Sequence, residues 1–176
     1  MMKQHAGKFA AFIVCLFSFI AVLGYAEDAE VSRATLAGIQ AVSVVVEEAQ
    51  PNIRQYAEKF GLSGMQIHRD VTQRLHDHGI RVVEGKEWLK VPGQPVLYVN
   101  VNTHETEKYW YAYDIRVELR QVVIPDANPK VKILASTWSL NITGLTNIGN
   151  LNIIRQDMET LLGRFVQAYK VVNGKR

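Results

Sequence analysis

Few residues in this chain have the type and spacing to do chemistry. Beyond residue 26 there are four histidines, His68, His76, His78 and His104, and no cysteine. A zinc site on a helix favours ligands four residues apart, with a third from elsewhere. His76 and His78 are two apart and leave a helix in different directions, while His68 and His76 are separated by about two turns. His104, Glu105 and Glu107 form the one carboxylate–imidazole set. Such a set suits metal binding or acid–base work, and a solvated turn has the same composition. No nucleophile elbow, phosphate-binding loop or dinucleotide fingerprint occurs. The expectation is a protein that is not an enzyme and holds no metal or cofactor; an enzyme reading would rest on His104 with Glu105 or Glu107.

Binding is the better-founded chemistry. Asp114, Arg116, Glu118 and Arg120 alternate in sign at every second position. On a strand they share one face, where they either pair with neighbouring strands or meet a charged partner. They are the candidate interaction face. The aromatic residues Tyr98, Tyr109, Trp110, Tyr111, Tyr113 and Trp138 fall on neighbouring strands. They serve core packing or line a cleft for an apolar ligand such as a lipid.

The elements that must position these residues are legible from hydrophobic period. Residues 39–48 are β-branched, with Val42, Val44 and Val46 on one face, and read as a strand closed by Pro51. Residues 52–60 are mixed, a helical turn or short helix. Ser63 with Gln66 forms a capping box, with Leu62 and Ile67 as its staple, and opens a helix over 64–78 that Gly79 stops. A short strand over 80–84 and a loop over 85–94 follow. Residues 96–103 alternate, 104–108 form a polar turn, and 109–121 keep a period of two, with Tyr111, Tyr113, Ile115, Val117 and Leu119 facing inward. After the Pro125–Pro129 break, 131–142 alternate with Leu134, Trp138, Leu140 and Ile142 on one side. Residues 144–150 read as a loop. A last helix, capped by Asn150 or Asn152, carries Ile154, Met158, Leu161, Phe165 and Tyr169 at spacings of three or four. The predicted order is β-α-β-β-β-β-α. This is an α+β fold, a mainly antiparallel sheet of four to five strands with two helices on one face.

The first 26 residues read as a signal peptide: Lys3 and Lys8, an apolar run over 9–23, and small residues around Gly24-Tyr25-Ala26. The run is short of the roughly 20 residues that span a bilayer. Cys15 lies inside it after Ile13 and Val14, a poor context for lipidation. Residues 27–37 read as a flexible leader, and 38–176 as one domain. Taking 26 from 176 leaves 150 residues, a size that buries about 70% of its unfolded surface. Without Lys3 and Lys8, the 20 basic residues fall to 18 against 17 acidic ones. That balance, with no basic run among aromatics, predicts no nucleic-acid partner.

Four stretches carry a resemblance: Gly79-Ile80-Arg81-Val82, Leu97-Tyr98-Val99-Asn100-Val101, Tyr113-x-Ile115-x-Val117-Glu118-Leu119 and Thr137-Trp138-Ser139. Over residues 38–173 the chain resembles a family of small exported bacterial proteins that offers no catalytic residues to carry over. More loosely, the leader and strand order are similar to the lipopolysaccharide-assembly outer-membrane lipoprotein and related periplasmic modules. Those proteins are lipidated at a mature N-terminal cysteine, which this chain lacks. Export, the absence of a catalytic constellation and the mixed-charge sheet face together predict an exported, periplasmic module of the cell envelope that binds an envelope protein; the alternative, from the aromatic residues, is a carrier of a small apolar ligand. Membrane association is left open.

Overall fold

A computed structural model describes residues 30–174. The segment read as a signal peptide lies outside the described residues. Helices α1 (Glu30–Ala34), α2 (Arg54–Ala57), α3 (Gly64–Asp77) and α4 (Asn152–Asn173) accompany strands β1 (Ser43–Val46), β2 (Val96–Glu107), β3 (Trp110–Val123) and β4 (Ile133–Asn147). The strands form one open sheet in the order β1-β2-β3-β4. β1 runs parallel to β2, and the other two pairings are antiparallel. The fold is α+β with a mixed sheet, and α3 and α4 share one face of it.

The period of two in β3 does what an alternating strand should. Tyr111, Tyr113, Ile115, Val117 and Leu119 are buried. Their β2 partners Val101, Val99 and Leu97 and their β4 partners Leu140 and Trp138 continue the apolar layer. Against it lie Ile67, Val71 and Leu75 of α3 and Ile154, Met158, Leu161 and Phe165 of α4, all buried. Trp138 meets Phe165 edge to face, with centroids 5.2 Å apart, a favoured aromatic geometry.

Helix α3 ends as the sequence predicts. Gly79 takes φ +73°, the left-handed conformation that glycine adopts without penalty. Gly79 N–H donates to the His76 carbonyl and Ile80 N–H reaches back to the Leu75 carbonyl, both at 2.9 Å, a Schellman closure. Its start is only half as expected. Leu62 and Ile67 are buried as a staple, yet the Ser63 side chain makes no capping bond. The Glu48 carboxylate packs on Gly64 instead; a Cβ there would lie 2.8 Å from Oε1. A carboxylate at this point complements the positive end of the helix dipole.

Other boundaries also differ. The predicted strand over 80–84 is a single parallel bridge, Val42 to Val82, because the chain returns to β1 for one residue and leaves in the turn at Gly85–Lys90. The polar turn over 104–108 shrinks to Lys108 and Tyr109, since β2 continues to Glu107, which pairs with Trp110. Tyr109 sits at φ +70°. The loop over 144–150 is strand up to Asn147, and Gly144 belongs there because the Tyr113 ring occupies the space of its missing Cβ. Neither Asn150 nor Asn152 caps α4; its N-cap is Leu151, without a side-chain bond. The stretch read as a flexible leader is packed from α1 onward. Leu36 is fully buried, and its carbonyl accepts a bond from Asn173 Nδ2 at 2.9 Å.

The largest departure lies in β4. Leu119 pairs with Trp138 and Arg120 with Ser136, so Thr137 is an extra residue, a bulge. A bulge reverses the alternation on its far side. Leu134, predicted to share the buried face of Trp138, is therefore turned to the other face and exposed. β4 is also an edge strand, and Ile133–Asn147 contains no charged residue.

Candidate functional site: the open face of the sheet

With both helices on one face, the other carries the polar alternates of the strands. Asp114, Arg116, Glu118 and Arg120 stand in a row along β3, beside Asn102, Asn100 and Tyr98 on β2. Across β4 the row meets Thr143, Asn141 and Ser139. The four predicted residues do share this face, and the structure links them to each other and to their neighbours.

The links form a chain of charge. Arg120 Nε donates to Glu118 Oε2 at 2.7 Å, and Arg116 lies 3.6 Å from Glu118 and 3.9 Å from Asp114. Asp114 Oδ1 accepts from Thr143 Oγ1 at 2.8 Å and from Asn141 Nδ2 at 3.2 Å. The Arg120 guanidinium lies 3.5 Å over the Tyr98 ring, a cation–π stack. Glu118 is clamped between two arginines and is only 7% exposed, whereas half of the Arg116 side chain meets solvent. Burial of Glu118 thus comes from its neighbours on the open face and does not reverse the register.

A second cluster at the β1 end was not foreseen. Glu47 accepts from the Tyr98 hydroxyl and from Asn100 Nδ2. Burial, and next the bond to Glu47, push the Tyr98 hydroxyl above its ordinary pKa. Asn100 is buried, and its Oδ1 has no hydrogen-bond partner among the described residues. Glu47 follows β1 directly, so only the parallel pairing of β1 with β2, which no local pattern announces, brings it here.

The other candidates are dispersed. His104 and Glu105 are successive strand residues and leave opposite faces of β2, and Glu105 Oε1 accepts from Tyr109 N–H at 3.1 Å. His78 Nδ1 lies 3.4 Å from Lys170 Nζ. No group of three or more metal-ligating side chains gathers among the described residues. The aromatic set divides: Tyr111, Tyr113 and Trp138 are core, while Tyr109 and Trp110 are exposed. The space between sheet and helices, where the alternative reading placed an apolar ligand, is occupied by Tyr111, Trp138 and Phe165, each at most 1% exposed. Among the described residues no helix is long and apolar enough to cross a membrane.

No family model matches the chain, and no curated protein matches it. Among solved structures it is loosely similar to a minor lipoprotein from Acinetobacter baumannii, at a TM-score of 0.33 and 10% identity over 77% of this chain and 92% of that one. A likeness of that degree leaves the function to be argued from the open face itself.

Proposed function

We propose that this protein is a non-enzymatic, exported module of the cell envelope that binds a protein partner through the open face of its sheet. The observation that supports this most is the exposed face of Arg116, Asn141 and Thr143 around the clamped Glu118. Its charges are held in place by one another, and no described element covers them. A pre-positioned set of charges and amides gives orientation and selectivity at an interface.

Site-specific photo-crosslinking in the producing cell tests the reading. A crosslinker at Thr143 should capture a discrete product that disappears in an Arg116→Glu background. A crosslinker at exposed Met65, on the helical side, should not capture it. Equal capture from both positions, or a Thr143 product indifferent to Arg116→Glu, would remove the open face as the binding surface.

A further inference from the structure

We infer that the protein has a second docking surface, the tip where β3 turns into β4, and that this tip rests on an anionic lipid surface. Beyond the bulge at Thr137, β3 and β4 continue as a two-stranded ribbon pairing Gln121, Val122 and Val123 with Ala135, Leu134 and Ile133. β2 no longer accompanies them, since its first residue Val96 already pairs with Arg120. Apolar side chains that a third strand and the helices would otherwise cover are left in solvent. Ile124, Val131, Ile133 and Leu134 are between 43% and 54% exposed, and Leu89 in the adjacent turn is 58% exposed. An open groove of about 550 Å³ runs between the Val91–Gln94 turn and the ribbon, walled by Val122, Ile124, Ile133 and Leu134 with Lys132 at its side.

The tip is ordered for contact. Asn128 N–H donates to the Pro125 carbonyl and Val131 N–H to the Asn128 carbonyl, both at 3.1 Å, and Val122 N–H bonds Gly93 O at 2.8 Å. An exposed apolar patch of this kind marks an interaction surface, and its charges select the partner. Exposed Lys130 and Lys132 lie in the connection from β3 to β4, Lys132 on the groove itself, and exposed Lys86 and Lys90 lie in the turn that precedes Val91. The acids nearby are Glu84, Asp126 and Glu87, and Glu87 is engaged by Arg81 at 3.4 Å. A second copy would bring Lys130 and Lys132 against their own equivalents. A protein interface centre is poor in lysine and rich in aromatics and arginine, and the ribbon from Val122 to Leu134 contains neither of the latter. Branched aliphatic side chains flanked by lysines fit a bilayer: the apolar groups enter it, and the lysine stems lie along it with their ammonium groups at anionic headgroups.

The experiment places an environment-sensitive fluorophore on the exported protein, with Cys15→Ser if that residue is retained. Val131→Cys carries the label at the tip and His104→Cys carries it at the opposite end of the sheet. Vesicles of phosphatidylglycerol with phosphatidylethanolamine should shift the Val131→Cys emission to the blue and leave the His104→Cys label unchanged. Pure phosphatidylcholine should do neither. Adding Lys130→Glu and Lys132→Glu should raise the lipid concentration at half-maximal shift by at least about tenfold. All four positions are exposed, so these variants should fold; circular dichroism confirms it. Equal response at both labels, equal response to neutral and anionic vesicles, or a blue shift that rises with protein concentration and needs no lipid would each overturn the inference, the last in favour of self-association.

Discussion

The Tyr113 hydroxyl donates to Asp157 Oδ2 at 2.6 Å and so ties the centre of β3 to the first turns of α4. It is the polar fastening on an otherwise apolar contact. A neutral donor to a carboxylate is worth about 1.5–3 kcal/mol, and Asp157 is partly exposed, so Tyr113→Phe should cost nearer 1 than 3 kcal/mol. Urea unfolding at neutral pH measures it.

The same pair predicts an alkaline weakness. Burial, and then the bond to Asp157, push the Tyr113 hydroxyl up to about 12, against an ordinary value near 10. The folded state keeps a proton that the unfolded chain has released. The contribution to stability is complete below pH about 10 and is lost as the pH rises towards about 12. Tyr98, Tyr111 and Tyr169 are raised as well, chiefly by burial, so they add to the loss of stability above pH about 10. In Tyr113→Phe the fall should be shallower.

Gly144→Ala puts a methyl group where the Tyr113 ring lies. Overpacking of this kind costs about 1–3 kcal/mol. Replacing the ring should relieve it: in a Tyr113→Leu background the added cost of Gly144→Ala should drop to below about 1 kcal/mol. A cost unchanged by the background would mean that the ring is not what the glycine accommodates.

The two ends of α3 should respond unequally. Ser63→Ala removes no capping bond, so its cost should stay under the roughly 1 kcal/mol of a working cap. Gly79→Ala forces a side chain into the left-handed region and should cost about 1 kcal/mol or more. Thermal unfolding of the two variants in parallel gives the comparison.

On the open face, Arg116→Ala should cost under about 1 kcal/mol, as expected of an exposed ion pair. Leu119→Ala, on the buried side of the same strand, should cost about 2–5 kcal/mol. Near-equal costs for the two would contradict the assignment of faces.

The two faces of β3 and the α4 stripe were legible because their periods run long enough to be read without knowing the neighbours. The stop of α3 was legible because Gly79 is a local device. What the sequence hid was set elsewhere in the chain. The segment 133–139 sets Ile133 and Leu134 side by side and follows them with small residues, an order that fits either register, and only pairing with β3 makes Thr137 the extra residue and exposes Leu134. Lys108-Tyr109 has no glycine or asparagine to announce a tight turn. For the candidate site, the four charged residues were readable from their period. Glu47 and Asn100 were not, because they meet only through a parallel pairing between strands about 50 residues apart.

The uncharged edge at β4 bears on the life of the molecule before it is folded. A long neutral segment without proline, free along one side, is a template for further strands. In the native state the residue after α1 reaches it at the bulge: Thr35 Oγ1 donates to the Thr137 carbonyl at 3.2 Å, and Gln121 Nε2 donates to the Thr35 carbonyl at 3.1 Å. The residue that follows the short helix thus caps the edge at its bulge and leaves the strand beyond it open. Refolding from denaturant should therefore lose more protein to aggregation as its concentration rises, and light scattering during refolding at a series of concentrations measures it.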